Sequence, residues 1–276
     1  SNTSQVGQFA ISQAGFPQGT DKIIKDNNFR GETVYNGTLY VTKGSGSNGI
    51  NTVYQVGATG ALNNSGSLTA GPGTPITILP GMPTDLARAS GGPNFTPFGL
   101  WFANSTTLYV SDEGTGGTAD VGLGSHAGLE KWTFNGTTWA LDYTLQNGLI
   151  GHTDAYTATG FSGTVLTGGL RDITGTVNAD GTVTIYGVSA TTDNIPNMDN
   201  GADPNALWAI TDSLSTTALP VAETFSEVIL PSLGTVVRGV EFVPEPASLA
   251  VLGSALLGLA GLRRRGSHRI GTGRTA

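Results

Sequence analysis

The chain has 276 residues, 42 of them glycine, and only 12% charged residues against about 25% in an average globular protein, a mixture that suits short strands and many turns. Its 38% hydrophobic content, with Trp, Tyr and Phe spread along it, argues against a disordered chain, and the lack of cysteine excludes disulfide scaffolds, thiolate metal sites and Cys nucleophiles. All 20 acidic residues but only eight of the 13 basic ones precede Leu262, and the resulting net charge of −12 repels phosphate backbones, so no nucleic-acid partner is expected.

Residues 1–28 are polar and are read as the remnant of a preceding repeat. From residue 29 the clearest local signal is a hairpin in which β-branched and aromatic residues flank a tight-turn dipeptide. Asn36-Gly37 lies between Val34-Tyr35 and Thr38-Leu39-Tyr40-Val41, and Asn135-Gly136 lies between Trp132-Thr133-Phe134 and Thr137-Thr138-Trp139. Both dipeptides readily take the positive φ angles of a type I′ turn. Asp180-Gly181 has the same setting, and Leu100–Val110 has the same shape around Asn104-Ser105. No helical periodicity interrupts these segments before residue 244.

The hairpins sit in a longer pattern. Gly31, Gly99, Gly169 and Gly239 each open a strand-like segment, at spacings of 68, 70 and 70 residues. Self-similarity at a fixed period points to a repeat architecture, and units longer than the usual blade of about 40–50 residues imply long loops. Inserts rich in Gly, Pro and Thr at 63–83 and 191–204 supply them. The reading is an all-β fold of propeller-like repeats of antiparallel sheets, an incomplete propeller. A β-sandwich of meandering strands is the alternative that the same pattern allows.

At Val243 the character changes. Pro244, Glu245 and Pro246 are followed by 16 apolar and small residues, Ala247–Leu262, and then by Arg263, Arg264 and Arg265. As a helix the apolar segment rises about 24 Å, short of a hydrocarbon core of about 30 Å. Arginines at its end are held on the cytoplasmic side, which places the body outside. The domain reading is therefore a body at 29–243, a C-terminal apolar helix within a sorting and membrane-anchor segment at 244–265, and a polar tail at 266–276.

The order Pro-Glu-Pro, apolar segment, Arg cluster resembles the PEP-CTERM sorting signal. That resemblance implies an exosortase-type processing enzyme as partner, transient residence in the inner membrane of a Gram-negative bacterium, and a cell-surface or extracellular destination. Residues 266–276 run past the point at which such tails normally stop. The body resembles the uncharacterised β-propeller-like proteins that often carry this tail, through Phe29-Arg30-Gly31, Gly37–Val41, Thr107–Asp112, Gly128–Trp132, Gly169–Ile173 and Arg238-Gly239-Val240. This likeness implies a fold and a surface location and no reaction. An exported protein needs a signal that the polar start lacks, and three and a half repeats fall short of four to eight blades, so further N-terminal sequence is expected.

Chemistry is sparse. His126, His152 and His268 read as loop residues without a second His or a carboxylate at ligand-like spacing, and no H-E-x-x-H, G-x-S-x-G or P-loop motif occurs. Two carboxylate groupings qualify for a hard cation. One is Asp112-Glu113 with Asp120. The other is the 193–205 loop, where Asp193, Asp199 and Asp203 are the candidate ligands for Ca²⁺. The functional expectation is a non-enzymatic binding or structural module, with exopolysaccharide as a partner. An extracellular propeller hydrolase of an ester, lactone or phosphoester, metal-dependent or not, is the alternative.

Overall fold

Asn36 and Gly37 take φ of 47° and 69° and fold the chain back between β1 (Phe29–Tyr35) and β2 (Thr38–Lys43), leaving Tyr35 directly opposite Thr38. This is the two-residue turn expected from Asn-Gly, and its twist matches that of the strands it joins. The computed structural model describes residues 28–44, 49–62, 75–85, 87, 95–122, 125–158, 161–192, 203–232 and 234–242. The expected C-terminal helix and polar tail lie outside these residues. The chain divides into two units, Ser1–Glu241 and Phe242–Ala276.

Thirteen described strands, all paired antiparallel, form three sheets in chain order. β3 (Thr52–Val56) and β4 (Ile76–Ile78) complete the first, ordered β1-β2-β3-β4. The second is the meander β5 (Pro97–Asn104), β6 (Thr107–Asp112), β7 (Gly128–Phe134) and β8 (Trp139–Leu145). The third runs β13-β12-β11-β10-β9, from β9 (Thr153–Ala158), β10 (Phe161–Val177), β11 (Thr182–Thr191), β12 (Leu207–Ser213) and β13 (Ser226–Ile229). A single 3-10 turn, Thr118–Val121, is the described helical element. The all-β, antiparallel expectation holds.

The other hairpin tips differ from the simple I′ form. At the β7–β8 turn only Gly136 has positive φ; the Asn135 side chain instead accepts the Thr137 and Thr138 amides, which widens the turn to four residues between Phe134 and Trp139. At β10–β11 the Asn178 amide donates to the Thr182 carbonyl, with Gly181 at φ 84°. An Asn or Asp side chain that bonds the backbone ahead of it competes with the two-residue turn.

The second sheet is buried on both faces. Leu108, Val110 and Trp132 pack with Val53, Leu79 and Leu100 toward the first sheet, while Tyr109, Leu129 and Leu145 pack with Leu170, Ile185 and Trp208 toward the third. Alternate residues of a strand point to opposite faces, so Leu108-Tyr109-Val110 is divided between two cores and no β6 residue is exposed.

One strand of each sheet comes up against the next, β1 against β5 and β5 against β10. A Cβ on Gly31 would collide with the Phe98 carbonyl oxygen, and one on Gly99 would sit 2.8 Å from both the Arg171 oxygen and the Ile173 nitrogen. A hydroxyl bridges each approach. Thr42 accepts the Gly31 amide at 2.9 Å and donates to the Phe98 carbonyl; Ser111 accepts the Gly99 amide at 2.7 Å and donates to the Arg171 carbonyl. The next position along this line is Asp172, which accepts the Val240 amide at 3.1 Å beside Gly239. Gly169, which the even spacing singles out, instead lies against Asp112 and Glu113, because register shifts between Thr167 and Gly169 and between Leu170 and Ile173 displace β10. Gly99→Ala is therefore expected to destabilise the fold by about 1–3 kcal/mol through overpacking, whereas Gly117→Ala, whose Cβ would meet only the Thr115 Oγ1 at an ordinary contact distance of 3.5 Å, stays within about 0.5 kcal/mol. Urea denaturation of the two variants checks this; equal midpoints would remove the close-approach argument.

Candidate functional site

The sorting residues Pro244, Glu245, Pro246, Arg263, Arg264 and Arg265, together with Asp193, Asp199 and His268, lie outside the described residues. Asp203 is described and buried, with the Thr191 hydroxyl 3.4 Å from its Oδ2.

The other carboxylate grouping is a built cluster at the end of β6. Asp112 is fully buried; its Oδ1 accepts the Gly114 amide at 2.8 Å and the Thr96 hydroxyl, and its Oδ2 accepts the Thr96 amide at 2.8 Å and faces His126 Nδ1 at 2.8 Å. Asp120, on the 3-10 turn, is held by the amide and hydroxyl of Thr115. Burial disfavours a charged His126 ring, but its hydrogen bond to Asp112 and the charges of Asp112 and Asp120 outweigh this and raise its pKa. Glu113 reaches across sheets, 3.8 Å from Arg30 and 3.2 Å from Arg171. Both guanidinium groups also lie over the Phe98 ring, at 5.6 and 6.0 Å. Burial raises the Glu113 carboxyl despite these two arginines. Glu130, buried on β7, accepts the Trp132 indole N–H at 2.8 Å and is raised well above the usual carboxylate range by burial and then by Asp112. Four protein bonds occupy Asp112, so its carboxylate is taken up in joining strands.

A second buried network pins the second sheet to the third. Lys131 and Asp212, neither exposed, pair at 3.1 Å. The hydroxyls of Tyr109 and Tyr143 both donate to Asp212, the latter at 2.7 Å, while Lys131 also reaches the Tyr143 hydroxyl at 3.0 Å and the Thr216 carbonyl at 2.8 Å. Burial and then the bond to Asp212 raise both tyrosines. Glu223 borders this network, and burial followed by the neighbouring Asp212 carboxylate pushes its pKa up to about 7. Its buried Oε2 has no hydrogen-bond partner.

A third group corrects the reading of His152 as a plain loop residue. Its Nε2 lies 3.0 Å from Oδ1 of Asp154, and ligand atoms of His152, Asp154 and Glu227 all fall within 4.8 Å of one another. The signal was present as His152-Thr153-Asp154, a His two residues ahead of a carboxylate at the start of β9. Glu227 lies on β13, far along the chain, and no local pattern connects it to them. Lys131 and Glu130 were equally legible as charges inside the strand Gly128–Phe134, but their partners were not.

Comparison with known proteins decides the tail. Residues 242–265 match the PEP-CTERM protein-sorting motif. The chain carries a PEP-CTERM sorting signal. The signal implies export, processing by an exosortase-type enzyme and a cell-surface or extracellular location. No curated protein sequence matches the chain. Among solved structures the chain is similar to the endo-arabinase of Bacteroides thetaiotaomicron VPI-5482, at 11% identity and a TM-score of 0.33, over 74% of this chain and 61% of the other. The chain thus spans less than two thirds of that enzyme's length.

The raised carboxyls and the raised His126 set one sign for the pH dependence of the body. A group whose folded pKa exceeds its unfolded value holds its proton more tightly when folded, so its stabilisation is present at low pH and is lost as pH rises through the folded pKa. For Glu223 that loss falls between the ordinary carboxylate range and about 7. The melting temperature is expected to rise as pH is lowered from 8 to about 5.5, and Glu223→Gln to flatten the part of the rise near neutrality. Thermal melts of both proteins across that range check it; identical profiles would show that Glu223 is not the titrating group.

Proposed function

We propose that the chain is a bacterial surface protein whose body is a non-enzymatic binding or structural module, presented outside the cell after its tail has served as address and temporary anchor. The observation that carries this reading is the match of residues 242–265 to the sorting motif. The body suits such a role. Its three successive antiparallel sheets, packed face to face with β1, β5 and β10 side by side, are read as propeller-like blades with loops available for an envelope polysaccharide. The buried carboxylates favour a structural part over a catalytic one, because the oxygens of Asp112 are taken up by Thr96, Gly114 and His126.

The expected course is cleavage near Pro244–Pro246, with the apolar segment and arginines left behind. Intact-mass measurement of the surface-released protein in a host with an exosortase-type system is the test. The released form should lack everything beyond that region, and replacing Arg263, Arg264 and Arg265 with glutamine should leave the protein unprocessed in the membrane fraction. Recovery of released protein with Gly266–Ala276 still attached would overturn the reading.

A further inference from the structure

We propose that His152, Asp154 and Glu227 form a site for one divalent transition ion of the Zn²⁺ class, which fastens the two edges of the third sheet to each other. The sheet order puts β9 and β13 at opposite edges, yet ligand atoms from the two ends lie within 4.8 Å. The sheet therefore curls until its edges meet. The 147–152 segment helps hold this closure, since the Asn147 carbonyl accepts the Phe225 amide at 2.9 Å and its side chain donates to the Glu223 carbonyl at 3.1 Å.

What points to an ion is the state of the oxygens. Oδ2 of Asp154 and Oε1 of Glu227 are both buried and accept no hydrogen bond, and the Asp154 side chain is only 8% exposed. A buried carboxylate oxygen without a donor is costly, and two beside each other repel, so the arrangement calls for a cation between them. His152 alone supplies one shared contact, to Asp154 Oδ1, and leaves the other two oxygens unanswered.

The ligand set selects the kind of ion. Ca²⁺ takes six to eight oxygens, whereas one imidazole nitrogen with two carboxylates suits a smaller ion of borderline softness and leaves a coordination position for water. The surroundings orient the ligands. Trp208 lies directly opposite Glu227 in the β12–β13 ladder, and its ring meets that of His152 edge-on, 4.9 Å between centroids at 80°. Residues directly opposite in an antiparallel pair share a face, so Trp208 and Glu227 approach His152 together.

The test uses the full-length, untagged chain, stripped with chelator and dialysed against micromolar Zn²⁺. Elemental mass spectrometry should find one Zn²⁺ per chain, Co²⁺ loading should give a visible absorption band, and Zn²⁺ should raise the melting temperature. Glu227→Gln, on an edge strand where folding is easily retained and is checked by circular dichroism, should weaken binding at least tenfold, as should Asp154→Asn; His126→Ala should not. Failure of the wild-type chain to take up Zn²⁺, or equal uptake by the wild type and Glu227→Gln, would overturn the proposal. Neither result bears on the sorting of the tail.

Discussion

The structure depends on one constraint: β1 against β5, and β5 against β10, approach so closely that no side chain fits between them. Gly31 faces the Phe98 carbonyl and Gly99 faces the backbone at Arg171–Ile173, each at a distance that a Cβ would close. Approach of two backbones normally strands polar groups, and here a hydroxyl on the second strand resolves it. Thr42 and Ser111 each take the amide of their own sheet's glycine and give their proton to a carbonyl of the next sheet. The spacing of the sheets is thereby fixed by hydrogen bonds, and the apolar clusters on either side of β6 fill the space that this spacing leaves. With no cysteine in the chain, such backbone-level contacts and the two cores hold the sheets together.

Charges reinforce the same seams. Glu113 gathers Arg30 from the first sheet and Arg171 from the third around Phe98, and Lys131–Asp212 crosses from the second sheet to the third. A buried ion pair gains little net stability over an apolar pair, but removing one partner leaves an uncompensated charge at several kcal/mol. These residues therefore act against alternative packings more than they add to the depth of the native one. The tyrosines on Asp212 serve that end, because Tyr143 satisfies the Oδ1 that Lys131 does not cover and Tyr109 shares Oδ2 with Lys131.

Much of this was legible in the sequence where the signal is local. Asn36-Gly37 specifies its turn outright, the β-branched and aromatic run in Thr107–Asp112 specifies a strand, and Gly31, Gly99, Gly169 and Gly239 all mark close approaches. Even spacing misplaces the partner of Gly169, which meets Asp112 and Glu113, since it cannot register the two irregularities in β10 that bring Asp172 into line with Gly239. The paired carbonyl-binding hydroxyls were present in the similar runs Thr38-Leu39-Tyr40-Val41-Thr42 and Thr107-Leu108-Tyr109-Val110-Ser111, but only the contact shows that the last residue of each does the bridging. Partners far apart along the chain, such as Lys131 with Asp212 or His152 with Glu227, leave no periodicity to detect.

Body and tail answer to different physics, and this explains why they were unequally readable. A sorting signal is recognised in extended sequence order, by a Pro-Glu-Pro run, an apolar length and a positive terminus, so its features must all be present in residues 242–265. The body is recognised, if it binds anything, by surfaces assembled from three sheets. Among its described residues much of the distinctive polar chemistry is turned inward, on Asp112, Glu130, Lys131 and Asp212. Polar groups spent on joining sheets are withdrawn from solvent, and because their partners lie far apart along the chain they leave no local pattern from which a ligand could be read.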